Sequence, residues 1–157
     1  MDVIKVGMAD LAVCKAPQKL MTAGLGSCVG VCIYDPRTKV GGLAHIMLPN
    51  SDQVKVVHNK AKYADTGIEL LLEKMQELGA IKNRMQAKIA GGAQMFGNST
   101  MMRIGERNTE EVIKILQTLK IPVLANETGG NFGRTIIFNP DNGELYIKTI
   151  NHGEKVV

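Results

Sequence analysis

The sequence predicts an α+β protein, a mixed and mainly antiparallel sheet sandwich with helices packed on it. Strand patterns outnumber helical ones, most of the strands are paired as hairpins about tight turns, and a single strand, helix, strand unit interrupts them. A pure doubly wound parallel sheet is disfavoured by the hairpins. The chain of 157 residues, 45% hydrophobic and 22% charged, fits one globular domain spanning residues 1–157. A chain of this length can bury a core without disulfides or a metal to support it.

Alternation and β-branching mark VIKVG at 3–7 and DLAVC at 10–14 as short strands. Val29 to Tyr34 and Val40 to Leu48 form two strands about Asp35-Pro36-Arg37-Thr38, where Asp at the first and Pro at the second position suit a type I turn. From Ala61 the period changes: Ala64, Ile68, Leu71, Leu72, Met75 and Leu78 share one helical face, and Gly79 is placed to end the helix. Met85 to Ala90 reads as a strand running into Gly91-Gly92. A second helix is expected from about Thr109, with Asn108 as its cap and Val112, Ile113, Leu116 and Leu119 as its buried face. Pro122 lies in an apolar strand candidate, which suggests a sheet edge. Thr135–Phe138 and Leu145–Ile150, about the turn Asn139-Pro140-Asp141-Asn142-Gly143, form a closing hairpin.

Composition narrows the function. Cysteines at 14, 28 and 32 are an odd count without the density of a disulfide scaffold, which points to a reducing, cytoplasmic location. No apolar run approaches the roughly 18 residues of a membrane span, and the N-terminus lacks a signal-peptide core, so the protein is expected not to be membrane-inserted. The net charge of +4 is scattered and only six aromatics are present, so no nucleic-acid partner is expected and the charge weakly favours an acidic protein surface. Nine methionines suit adaptable core packing.

The residues that carry chemistry lie on the first hairpin. A turn centred between Pro36 and Arg37 pairs Cys32 with Gly41, Gly30 with Leu43, and Cys28 with His45. Directly opposed side chains have Cβ atoms roughly 4.5 to 5.5 Å apart, within reach of a sulfur to imidazole contact. A histidine beside a cysteine can take the thiol proton and leave a thiolate and imidazolium pair that attacks acyl carbons. Gly24, Gly26, Ser27 and Gly30 put little bulk around Cys28, so a substrate carbonyl could approach past Gly26 and Ser27 toward backbone N–H groups.

Other readings stand beside this one. A cysteine in an apolar strand is ordinarily an inert small hydrophobe, the role expected for Cys14 and Cys32. A metal site is rejected, because Cys28 and Cys32 are about 13 Å apart on one strand at roughly 3.3 Å per residue. His58 and His152 read as surface residues. The glycine-rich segments at 91–97 and 129–134 lack the lysine and hydroxyl of a phosphate loop, which disfavours nucleotide binding, and read as sharp loops near the site; Arg134 could hold a carboxylate, though a solvated surface position is the favoured reading. A non-catalytic adaptor that binds helical partners, with Cys28 and His45 as sheet packing, is the alternative of a different class.

The segments LGSCVGVCIYD at 25–35, GGLAHIMLP at 41–49, KYADTGIELLLEKM at 62–75, KIAGGAQMF at 88–96, IGERN at 104–108 and GGNFGRTIIF at 129–138 resemble the CheD chemoreceptor glutamine deamidases over nearly the whole chain. The resemblance implies a cysteine hydrolase fold like that of the cytotoxic necrotizing factor catalytic domain, with Cys28 as nucleophile, His45 as base and Thr22 as the third member. It implies conversion of glutamines on the cytoplasmic helices of chemoreceptors (methyl-accepting chemotaxis proteins) to glutamates through a thioester, with release of ammonia and no cofactor or metal. It also implies a regulatory partner, the CheC phosphatase.

Overall fold

The computed structural model describes residues 2–95 and 103–157. Among the described residues ten strands form two sheets of five, and two α-helices cover the outer face of one of them. The first sheet has the order β1 (Val3–Lys5), β3 (Lys19–Leu25), β8 (Arg134–Asn139), β9 (Glu144–Thr149), β10 (Glu154–Val156). The second has the order β2 (Leu11–Lys15), β5 (Val40–Ile46), β4 (Val29–Asp35), β6 (Gln86–Gly91), β7 (Val123–Thr128). Among these pairings β1 with β3 and β6 with β7 are parallel and the rest antiparallel, as the α+β reading expected.

β4 and β5 are buried at every position because they lie at the centre of a three-layer stack. The period of two then divides their side chains between two cores. Val29, Val31 and Ile33 of β4, with Val40, Ala44 and Ile46 of β5, pack against α1 (Ala64–Glu77) and α2 (Ile104–Thr118) through Ile68, Leu71, Met75, Val112 and Leu116. Cys28, Cys32 and Tyr34, with Leu43, face the first sheet and meet Leu20, Leu25, Ile136, Phe138 and Ile147. Among the described residues, no helix is long and apolar enough to cross a membrane.

α1 ends as expected, with Gly79 at φ +100° just beyond Leu78, but it begins at Ala64; residues 60–62 form a separate 3-10 turn. Leu78, placed by periodicity on the buried face, is 44% exposed, because the helix has already stopped and its last apolar residue leaves the stripe. α2 begins about five residues before the position expected. Asn108 therefore is not its cap but an interior residue with no exposed surface. β7 is an edge strand, and Pro122 precedes it, with its carbonyl accepting from Ala87 N–H at 2.9 Å. The closing hairpin is present as β8 and β9, with Ile150 beyond its end. Asp35, read from the sequence as a turn residue, also lies buried and accepts two hydrogen bonds from Arg84, at 3.1 and 2.9 Å.

Candidate active site

The site gathers residues from the ends of both sheets. β3 carries Thr22 inward and then shifts register against β8 between Thr22 and Leu25, with Gly24 at φ +70° in the left-handed region that glycine adopts without penalty. The extra residue lets Leu25, at odd parity, point into the core that Leu20 and Thr22 reach at even parity. The chain then bends through 26–28, delivers Cys28, and enters β4.

The register differs by two positions from the one expected. Asp35 pairs with Val40 and Gly30 with His45, because the loop holds Pro36 to Lys39, with Lys39 at φ +59° and its N–H on the Asp35 carbonyl at 2.9 Å. Cys28 is thus not directly opposite His45 but its diagonal neighbour, and a slip of two keeps both on the same face. Diagonal positions are roughly 7 to 8 Å apart at Cα and closer at Cβ. The residue opposite the imidazole is Gly30, whose missing side chain makes room for Ile136 and Leu25; a Cβ there would come within 2.7 Å of Ile136 and 3.1 Å of Leu25. The sulfur and the imidazole are not hydrogen-bonded in this structure.

Hydrogen-bond bookkeeping fixes the imidazole. Thr22 Oγ1 lies 2.7 Å from the Val6 carbonyl and 2.7 Å from His45 Nδ1. A carbonyl can only accept, so the single hydroxyl proton goes to Val6, and the hydroxyl must accept from Nδ1–H. The neutral ring therefore carries its lone pair on Nε2, which is buried and, among the described residues, has no hydrogen-bond partner. An unpartnered basic nitrogen on the same face as a cysteine sulfur is the arrangement a general base needs. The His45 backbone is held as well, with its N–H on Asp10 O at 2.9 Å and its carbonyl accepting from Ala9 N–H at 3.1 Å.

Burial governs the charges. It pushes the Cys28 thiol up, against a smaller downward pull from the residue's own backbone N–H, and it pushes the His45 imidazolium below its ordinary value of 6.5. Both shifts favour neutral forms. Burial thus biases the two groups toward thiol and imidazole, where the sequence suggests a thiolate and imidazolium pair. Cys28 keeps 8% of its surface exposed, while Cys14 is raised to about 11 by burial and Cys32 is wholly buried.

Around Cys28 the backbone is tightly held. Gly92 N–H donates to the Cys28 carbonyl and Ala93 N–H to the Gly26 carbonyl, both at 2.8 Å. Gly91, at φ +107°, lies so close that a Cβ would stand 2.3 Å from the Cys28 carbonyl oxygen, which explains the glycine at the end of β6. Gly26 and Ser27 are half-buried beside the sulfur, with the Met95 side chain against Gly26. Phe96 and Gly97 of the first glycine-rich segment lie outside the described residues.

Arg134 is not at the surface as expected. It is 7% exposed, donates to the Gly91 carbonyl at 3.1 Å, and stacks on Phe132, joining the two sheets beside the site. Its inward position follows from the strict alternation of β8, in which Arg134, Ile136 and Phe138 share a face, a signal the sequence does contain. His58 and His152 are exposed, as expected. Among the described residues, no three His, Cys, Asp or Glu side chains gather as metal ligands would.

Comparison with known proteins bears on what this site does. The family model described as CheD chemotactic sensory transduction matches residues 47–149. A protein of Syntrophomonas wolfei, named probable chemoreceptor glutamine deamidase CheD, is 54% identical over 99% of this chain and 98% of its own length. A protein of the same name from Desulfitobacterium hafniense is 55% identical over 99% of each chain. One from Halalkalibacterium halodurans, named chemoreceptor glutamine deamidase CheD, is also 55% identical over 99% of each chain. The family model begins just after His45, whereas these relatives align across the segment that holds Thr22, Cys28 and His45.

Proposed function

The chain belongs to the CheD family, and from that premise we propose that it deamidates glutamine side chains of chemoreceptors, with Cys28 as nucleophile, His45 as base and Thr22 as the group that orients the base. The observation that supports this most is the buried, unpartnered Nε2 of His45, left as the basic nitrogen by the Thr22 hydrogen bonds and facing the side of Cys28.

In this reading Cys28 Sγ attacks the carboxamide carbon while its proton passes to Nε2. The tetrahedral oxyanion collapses, Nε2 gives the proton to the departing nitrogen, and ammonia leaves a thioester on Cys28. Water, losing a proton to Nε2, then attacks the thioester carbon, and the thiol recovers that proton as glutamate is released. Thr22 keeps Nδ1 protonated throughout and disperses the positive charge that the ring takes up in each step.

The substrate glutamines lie on receptor cytoplasmic helices, the protein works in the cytoplasm, and the CheC phosphatase is its regulatory partner. Gly26 and Ser27, small and half-buried beside the sulfur, border the entry for one carboxamide. The net charge of +4 favours an acidic receptor surface.

The test is incubation with a purified receptor cytoplasmic fragment, read by ammonia release and by the mass gained when NH2 is replaced by OH. Wild-type protein should show both, and Cys28→Ala neither, with an unchanged circular dichroism spectrum. A wild-type protein that binds the fragment without releasing ammonia would support the adaptor reading instead.

A further inference from the structure

Asn108 lies on α2, in the helical layer, yet reaches the nucleophile loop. Its Nδ2 donates to the Ser27 carbonyl at 3.0 Å and to the Met47 carbonyl at 2.9 Å. Both neighbours are acceptors, so only the amino end of the amide can face them, and both of its protons are used. The cost is on the other side of the same group: Oδ1 is buried and, among the described residues, unpartnered. An apolar residue would avoid that orphan, so helix packing does not explain an amide here. Its two partners do, since one precedes the cysteine and the other follows His45 by two residues.

The Ser27 carbonyl and the Cys28 N–H belong to one planar peptide unit. Among the described residues the cis bond is Ala16–Pro17, so the Ser27–Cys28 unit is trans and its carbonyl and N–H point in opposite directions. Asn108 draws the carbonyl toward the helices. The N–H is thereby turned to the opposite side, where the Cys28 side chain packs with the residues of the first sheet. That N–H belongs to the same residue as the attacking sulfur, its nitrogen separated from Sγ only by Cα and Cβ. A donor beside the attacking sulfur is also beside the oxygen of any carbonyl carbon the sulfur attacks.

We propose that Asn108 is a positioning residue for the reaction: by holding the Ser27 carbonyl it aims the Cys28 N–H at the oxyanion that forms on the substrate amide. This rests on the deamidase reading, and it adds a group from a layer of the fold that contains none of the reacting atoms.

The experiment compares wild type, Cys28→Ala and Asn108→Ala in two assays. Deamidation of the receptor fragment passes through an oxyanion; alkylation of Cys28 by iodoacetamide, a displacement at a saturated carbon, does not. Asn108→Ala should lower kcat by about 10 to 10²-fold, somewhat less than outright loss of an oxyanion donor, with KM and the alkylation rate close to wild type. Equal loss in both assays would assign Asn108 to general scaffolding, and an unchanged kcat would remove it from the reaction; either overturns the proposal. Should Asn108→Ala not fold, Asn108→Ser, which keeps one donor, should show the same division at smaller size, and failure of both to fold overturns the proposal too. Absence of ammonia release from wild type would instead defeat the deamidase reading, and is visible without any Asn108 variant.

Discussion

Replacing Thr22 by Val removes one hydroxyl and leaves the shape nearly unchanged, which isolates the hydrogen-bond chain from Val6 to His45. Two buried groups lose their partner: the Val6 carbonyl and Nδ1–H of His45, each 2.7 Å from Oγ1. An unpaired buried polar group costs about 1 to 3 kcal/mol, and with partial relaxation the pair should lower stability by about 2 to 4 kcal/mol. A domain with about 5 to 15 kcal/mol of stability survives that loss. The effect on rate has two sources. Losing a net hydrogen bond of about 1 kcal/mol changes the ratio of the two imidazole tautomers by roughly fivefold. Freeing the ring to tilt adds a misplacement penalty that reaches about 10²-fold for a displacement near 1 Å. We expect kcat for deamidation to fall by about 10 to 10²-fold in total, with KM little changed, because Thr22 is buried behind the imidazole. Thr22→Ser keeps the hydroxyl and should retain most of the activity. Ammonia release from a receptor fragment, measured well below each variant's melting temperature, provides the assay. Wild-type kcat in Thr22→Val, or a serine variant as poor as the valine one, would refute the role given to the hydroxyl.

Three further outcomes are expected. Burial holds the His45 imidazolium below 6.5, so kcat/KM should lose its base on an acid limb lying below pH 6.5. Because the folded value is below the unfolded one, the contribution of His45 to stability is full above about pH 6.5 and is lost as pH falls through the folded value; urea midpoints across pH should follow the same course, and a limb above 6.5 would contradict both. Peptide mapping after limited iodoacetamide treatment should find Cys28 labelled before Cys14, which burial raises to about 11, and before the fully buried Cys32; equal labelling of all three would speak against an activated Cys28. Gly91→Ala drives a Cβ to 2.3 Å from the Cys28 carbonyl at a φ that L-residues rarely adopt, so kcat should collapse with a smaller effect on far-UV circular dichroism, and a fully active variant would show that the end of β6 does not set the nucleophile loop.

Much of this was legible in the sequence wherever one local period governed. α1, the hairpin of β4 and β5, and the closing hairpin follow from spacing and turn residues alone. β3 was missed, because KLMTAGL is bounded by an irregular turn and broken by a bulge at Gly24, so it never shows clean alternation; with it went any local means of finding Thr22. The hairpin register was misplaced because Lys39 takes a left-handed conformation that no glycine or asparagine announces. The face shared by Cys28 and His45 survived the error because only the parity of the register decides which face a side chain joins. The alternation of β8 does carry the inward position of Arg134, but neither its partner nor those of Asn108 can be read locally. Each is polar in an element whose surroundings come from distant segments, so its partners, the carbonyls of Ser27, Met47 and Gly91, could not be inferred from neighbours in the chain.

The same distance between segments accounts for how a buried thiol can be both quiet and usable. Two fixed charges in this core would each need solvation that the surrounding Leu20, Leu25 and Ile136 do not give, whereas a neutral thiol beside a neutral imidazole needs none. Burial therefore biases the pair toward its neutral forms, and Cys28 keeps only 8% of its surface exposed. In the proposed reaction charge is required only during attack, and at that moment both signs meet groups already in place. The imidazolium keeps the Thr22 hydroxyl as the acceptor for Nδ1–H, and that hydroxyl is fixed by a carbonyl next to β1. The oxyanion meets a backbone N–H whose direction is set from α2. The groups that hold the neutral pair in place thus also meet the charges of the transition state, and only the part of their interaction that strengthens there raises kcat without merely tightening substrate binding.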